Sequence, residues 1–248
     1  MKAMVFAAGE GQRLRPITEQ TPKSLVPVAG RPMIEYPLLL LRHYGIKEVI
    51  INLHHLGDQV ENYLADGARL GLKLRYSKEA ELLDTGGGLL KARPFLEDAT
   101  FIVINTDVLI DLPLAEVIAF HRQNKASATL VLRPDARADQ YGSLDVAADG
   151  RICRLLKTKL PQSMGVVLTT LMFTGVQVLE PSVFNHMPTP ADSQKFSTTK
   201  YVYPEMLRHR ERLFGFRFDG FWQDLGTVER IKQAEESLSA GHVKLHYL

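Results

Sequence analysis

Residues 4–31 read MVFAAGEGQRLRPITEQTPKSLVPVAGR. An apolar run, Met4 to Ala8, stops at Gly9. A short apolar run bounded by glycine reads as a buried strand. Gly9 and Gly11 let the backbone turn sharply and bring its N–H groups close to a ligand. Arg13, Arg15, Lys23 and Arg31 are set against only Glu10 and Glu19 in the same stretch. A loop at the end of a strand with free N–H groups and surplus cations suits a polyphosphate. The stretch is not a dinucleotide fingerprint, because Leu14 stands where a third glycine is needed. No Gly-Lys-Ser/Thr closes it as a Walker A loop. Taken alone, Gly-x-Gly is also compatible with an ordinary βα turn carrying surface charge.

Outward from this stretch, strand and helix alternate. Residues 33–43 have helical character, with Gly45 as a C-cap. Residues 49–53 and 72–76 read as strands, with a helix over 58–66 between them. Asp84 to Gly88 reads as a glycine-rich turn leading into a helix over 89–93. Residues 101–105 are the clearest buried strand, ending on Thr106-Asp107. A helix over 113–124 and a strand over 128–132 follow. This alternation predicts an α/β fold with a mixed, mostly parallel sheet between helices. The second half reads differently. A β-hairpin spans 141–156 around Asp149-Gly150. Residues 166–179 form one long strand or two short ones. A helix over 199–209, a strand over 213–218 and a last helix over 227–240 complete the chain.

With 248 residues, the chain is long enough for one large α/β domain or two small ones. A single domain is expected, with residues 1–135 as a nucleotide-binding half and 136–248 as an acceptor half. Net charge is only +2, so there is no global basic field for nucleic acid or a membrane surface. The one cysteine, Cys153, allows no intrachain disulfide, and there is no signal-peptide pattern, which fits the cytoplasm. No apolar run approaches the roughly 18–20 residues of a membrane span.

The string Ala7-Ala8-Gly9, Gly11-x-Arg13-Leu14-Arg15-Pro16, Pro22-Lys23-Ser24-Leu25 and Pro27-Val28-Ala29-Gly30-Arg31-Pro32 resembles the signature of the sugar-1-phosphate nucleotidyltransferases. So does Trp222-Gln223-Asp224-Leu225-Gly226-Thr227. The resemblance covers essentially the whole chain. It implies a Rossmann-like three-layer sandwich and transfer of a nucleotidyl group from an NTP to a sugar 1-phosphate, releasing pyrophosphate. Arg13 and Lys23 are implied as catalytic cations that neutralise phosphate charge. Asp107 and Asp224, 117 positions apart, are implied as Mg²⁺ ligands from separate loops. Thr227 also reads as the N-cap of the last helix, with Arg230 at its third position.

Ala7, Ala8, Gly9, Gly11, Glu79, Thr85, Gly86, Gly87 and Asn105 are implied as nucleotide-binding. Thr85 and the amides of the glycine turn would read the base. Thr106, where the family has glycine, is expected to crowd the ribose. Gly142 and Gly175 are implied at the sugar-phosphate site. The chain departs from the family there, since neither 156–161 nor 197–201 carries the usual glutamate or aspartate. Lys157, Lys159 and Lys200 read either as solvated or as contacts for an acidic acceptor. His54-His55 reads as structural or surface. No hexapeptide-repeat β-helix is expected after the last helix, and a homodimer is allowed for. Two rivals stay open. One is cytidylyl transfer to a phospho-alcohol such as phosphocholine. The other is a silent regulatory protein that binds sugar nucleotides.

Overall fold

The computed structural model describes residues 1–136, 138, 143–156, 158–160, 167–189 and 195–248. The first half runs β1 (Lys2–Phe6), β2 (Pro27–Val28), β3 (Arg31–Pro32), α1 (Glu35–His43), β4 (Glu48–Leu53), α2 (Gly57–Leu64) and β5 (Lys73–Lys78). Then come α3 (Asp84–Lys91), α4 (Arg93–Leu96), β6 (Phe101–Asn105), β7 (Val108–Ile110), α5 (Leu114–Gln123) and β8 (Ala128–Arg133). The rest runs β9 (Ser143–Ala147), β10 (Ile152–Leu155), β11 (Thr158–Lys159), β12 (Leu168–Leu179), α6 (Tyr203–Arg208), β13 (Leu213–Arg217), β14 (Trp222–Asp224) and α7 (Val228–Ser239). The chain forms two compact units that interleave in sequence. One holds Met1–Leu82, Ile104–Leu112 and Gly220–Leu248; the other holds Leu83–Val103 and Pro113–Asp219.

In the first unit the strand order is β1–β4–β5. β1 pairs parallel with β4, and β4 with β5. Met4, Val5, Val49 and Ile51 are fully buried, as the apolar runs require. Each such side chain contributes about 1.5–3 kcal/mol relative to exposure. The register sets Phe6 beside Asn52 and Asn52 beside Ser77, so the loops that follow β1, β4 and β5 leave from one edge. α1 ends where Gly45 takes φ +74° and its N–H donates to Arg42 O at 2.9 Å. It is more deeply buried than a one-faced helix, since every residue from Glu35 to Leu41 is buried. Glu35 is tolerated there because Arg31 Nη1 (2.8 Å), Arg69 Nη2 (2.7 Å) and the Tyr63 hydroxyl (2.8 Å) donate to its carboxylate.

In the second unit β12 is one continuous strand, antiparallel to β9 and to β8. β8 also pairs parallel with β13, so the sheet is mixed, as expected. The register slips between Phe173 and Gln177, where Gly175 sits at φ +90°. Four steps along β12 there oppose only two along β8, and such surplus residues in a ladder bend the strand. The β9–β10 hairpin turns at Asp149-Gly150 as predicted, with Gly150 at φ +86°. The predicted helix over 199–209 is a π-turn at Thr198–Val202 that runs into α6. The glycine run is a further correction. Gly86, Gly87 and Gly88 are not a turn before a helix but the buried first turns of α3.

Candidate functional site

β1 ends at Phe6, and Ala7 opens the loop. The Ala7 N–H donates to Asn52 Oδ1 at 2.9 Å. Asn52 Nδ2 donates in turn to Glu79 Oε1 at 2.8 Å. Glu79 is 5% exposed. It therefore holds Asn52, which fixes the first amide of the loop. Asn52 was a missed residue; the signal for it was a single amide side chain inside the apolar run Val49 to Leu53. His54 and His55 are structural as expected. Their ring nitrogens meet Glu79 O at 3.0 Å and Thr18 O at 3.1 Å.

The loop is built from three 3₁₀ turns, Gln12–Leu14, Ile17–Glu19 and Lys23–Leu25. Leu14 is fully buried and anchors it, while Arg13 on the first turn is exposed. Gly9 is exposed with open space around it. Gly11 is the pivot. It sits at φ +68°, and a Cβ there would meet Thr18 Cγ2 at 2.8 Å and Lys23 Cβ at 2.9 Å. Its carbonyl accepts from Thr18 Oγ1 at 2.8 Å. Gly11→Ala is expected to cost at least about 1–2 kcal/mol from the left-handed backbone alone. The new methyl would also push Lys23. Urea unfolding should show a lower midpoint, and a wild-type midpoint would mean that the loop has a relaxed alternative.

Lys23 Nζ forms an ion pair with Asp107 Oδ2. The Lys23 side chain is 15% exposed and that of Asp107 is 26%, so this is not a freely solvated surface pair. Burial works against the Asp107 charge. The adjoining Lys23 ammonium, with the Arg13 guanidinium further out, outweighs burial and holds the carboxyl below its usual range. Asn105 ends β6 half-buried. Thr106, expected to crowd the ribose, is 4% exposed, and its hydroxyl donates to Phe6 O at 2.7 Å. The Thr106 backbone N–H donates to the same carbonyl at 3.2 Å, so both Thr106 donors tie β6 to the end of β1.

The second carboxylate arrives through an unforeseen strand pair. β7 and β14 are antiparallel, with Asp224 opposite Val108. Leu225 N donates to Asp107 O at 2.9 Å. The chain stretches carrying Asp107 and Asp224 are thus hydrogen-bonded to each other. Asp224 Oδ1 accepts from Gly226 N at 3.0 Å and pairs with Arg230 Nη1. Thr227 caps α7 as predicted, its hydroxyl accepting from Arg230 N at 3.4 Å. Gly226 also lies against Arg13, whose Cζ is 2.9 Å from where a Cβ would be. Arg13, Lys23, Asp107 and Asp224 are therefore brought together. Gly226 and Arg230 belong with them and were not singled out as site residues.

The second unit holds the other expected residues. Phe196 O accepts from both Gly86 N (2.8 Å) and Gly87 N (3.2 Å). Thr85 Oγ1 accepts from Thr198 N at 3.0 Å and meets Thr198 Oγ1 at 3.1 Å. These groups hold the segment that follows Lys195. Gly175 sits at the β12 register slip described above. Ser197 Oγ accepts from Lys200 N at 3.3 Å, and Lys159 lies exposed on β11. Gly142 and Lys157 lie outside the described residues.

A cationic loop at the end of a parallel strand, faced by two carboxylates, defines a class of protein suited to holding phosphate groups. That class narrows on comparison. The chain belongs to the nucleotidyl transferase family, whose model matches residues 2–241. It is 35% identical to the N-acetylmuramate alpha-1-phosphate uridylyltransferase of Neisseria meningitidis, over 95% of this chain and 97% of that one. It is 31% identical to the UTP–glucose-1-phosphate uridylyltransferase of Synechocystis, over 98% of this chain. A mannose-1-phosphate guanylyltransferase of Mycobacterium tuberculosis is also 31% identical. The chain spans 65% of the length of these last two relatives. Solved structures share the fold. HddC from Yersinia pseudotuberculosis, complexed with GMP-PN, superposes with a TM-score of 0.76 at 22% identity, covering 96% of this chain and 99% of that one. A Bacillus anthracis protein assigned as a glucose-1-phosphate thymidylyltransferase, in complex with sucrose, reaches 0.82 at 22% identity, covering 98% and 96%. Among the described residues, no helix is long and apolar enough to cross a membrane.

Proposed function

We propose that this chain transfers a nucleotidyl group from an NTP to a sugar 1-phosphate, with Mg²⁺, giving an NDP-sugar and pyrophosphate. The observation that carries the reading is the β7–β14 pair. It joins the Asp224 strand to the backbone of Asp107, while Lys23 pairs with Asp107 and Arg13 lies against Gly226. The relatives' names pair uridylyl or guanylyl transfer with three sugar 1-phosphates, which supports the same acceptor class here.

The reaction joins two anions. An oxygen of the sugar phosphate attacks the α-phosphorus, and pyrophosphate leaves on the opposite side. Lys23 and Arg13 lower the repulsion between the phosphates and stabilise the charge that develops. Asp107 and Asp224 would hold the metal. Carboxylates alone, without thiolate or imidazole, form a hard-oxygen donor set that fits Mg²⁺. Among the described residues no group of three or more His, Cys, Asp or Glu could hold a metal. The remaining positions would fall to water and phosphate oxygens. When bound, Mg²⁺ supplies charge neutralisation on the phosphates.

Nucleotide contacts are proposed for the amides of Ala8, Gly9 and Gly11 and for Asn105, with Ala7 and Glu79 acting through Asn52, which already holds the Ala7 N–H. A base contact is proposed for Thr85 alone, because the Gly86 and Gly87 amides expected to read the base are buried and spent on Phe196 O; sugar-phosphate contacts are proposed for Gly142 and Gly175. Residues 1–248 are read as one catalytic domain, which the span of the family match supports. The free Cys153 supports a cytoplasmic setting.

A panel of NTPs should be tested against glucose, mannose and N-acetylmuramate 1-phosphates, reading pyrophosphate and NDP-sugar together. At least one pair should yield both products in equal amounts, and only with Mg²⁺. Tight NDP-sugar binding without turnover on any pair would instead establish a silent binding protein.

A further inference from the structure

Arg230 occupies an unusual place. It stands at the third position of α7, in the first turn, where the helix dipole favours acids over bases. Its guanidinium pairs with Asp224 Oδ1, and both side chains are largely shielded, at 21% and 14% exposure. Lys23 holds Asp107 in the same way. With Arg13 against Gly226, three cations face two carboxylates, one positive charge in surplus. A bare divalent ion would add to that surplus and would have to share each carboxylate with the cation already paired to Asp107 Oδ2 and Asp224 Oδ1. An ion that arrives on a triphosphate brings net negative charge and offers oxygens to those cations.

We propose that Arg230 is a positioning residue that keeps Asp224 closed to a bare divalent ion, so that metal enters only together with the NTP. This rests on Asp107 and Asp224 being the metal ligands. Arg230 acts through Asp224: in the free enzyme it is that carboxylate's counter-ion, and on binding it gives the carboxylate up. The consequence is an enzyme whose site takes up free metal about tenfold less readily than it would without Arg230, until nucleotide is present.

The probe is Mn²⁺ alone, its free fraction read by electron paramagnetic resonance, without nucleotide. Arg230→Met keeps the side chain's length and helix propensity but removes the charge. It should bind Mn²⁺ at least about tenfold more tightly than wild type, on the scale of one nearby like charge removed from a shielded site. Arg230→Lys should restore the weak wild-type binding. Adding a non-hydrolysable NTP analogue should tighten Mn²⁺ binding strongly in wild type and much less in Arg230→Met. Thermal melting of both variants checks the fold. Asp224→Asn separates the two layers of the argument. If it loses Mn²⁺ in the presence of the analogue, while Arg230→Met binds bare Mn²⁺ no better than wild type, the Arg230 proposal is overturned and the metal site stands. If Asp224→Asn keeps Mn²⁺ fully, the metal-ligand reading fails and takes the proposal with it.

Discussion

Asp224→Asn lowers turnover by about 10²- to 10³-fold and leaves the melting temperature close to that of wild type. The fold survives because asparagine keeps the contacts that hold Asp224. Its Oδ1 still accepts from Gly226 N and from Arg230. What disappears is one of two anionic ligands for the proposed metal. A metal ion on transferring phosphates supplies several kcal/mol of charge stabilisation, and each 1.4 kcal/mol or so is a factor of ten in rate. Halving the protein's share of the ligands puts the loss in the stated range. The measurement is kcat at saturating NTP and acceptor across a series of Mg²⁺ concentrations. Turnover should stay low at the highest Mg²⁺. A variant that reaches the wild-type plateau there would have lost only affinity, and Asp224 would then be a minor ligand.

The parallel half of the fold was legible because its signals are local. The apolar runs at 4–8, 49–53 and 101–105 end in residues that cannot continue a buried strand. β1, β4 and β6 follow them to within two residues at each end. Gly45, Gly150 and Thr227 act through their own backbone or side chain, so their capping and turning roles were readable too. Asp107 and Asp224 were readable only as members of motifs.

The connection between those motifs was not legible. β7 and β14 are three residues each, Val108–Ile110 and Trp222–Asp224, too short to show a period of two. Their pairing is set by tertiary contacts more than a hundred residues apart. Arg230 was read only as the third residue of the helix that Thr227 caps, because its partner Asp224 lies just upstream of that cap. The glycines of α3 misled for a related reason. Their low helix propensity argued for a turn. Yet Gly86 packs so closely on Phe196 that a Cβ would lie 2.7 Å from the Phe196 carbonyl oxygen. Contact with the segment after Lys195 fixes that helix, and no reading of residues 84–88 alone contains that segment.

The same kind of hidden contact sets the last expected result, which concerns Gly226 and Arg13. Arg13→Ala should lower kcat by about 10²- to 10³-fold, the scale of one lost donor to transition-state charge. Gly226→Ala should reproduce part of that loss, about tenfold, although its methyl adds no chemistry. Gly226 is not among the residues at positive φ, so alanine meets no backbone penalty. The methyl would instead lie 2.9 Å from Arg13 Cζ and 3.0 Å from Asp224 Oδ1. One of the two must move. Asp224 is tied to Gly226 N and Arg230, whereas Arg13 is an exposed, flexible side chain. Arg13 should therefore be the one displaced, at little cost in stability. The test is the double variant. If Gly226 acts only through Arg13, adding Gly226→Ala to Arg13→Ala should change kcat no further, and urea midpoints should match across the set. Losses that multiply in the double variant would show that the methyl disturbs Asp224 instead, and the geometry assigned to Arg13 would have to be withdrawn.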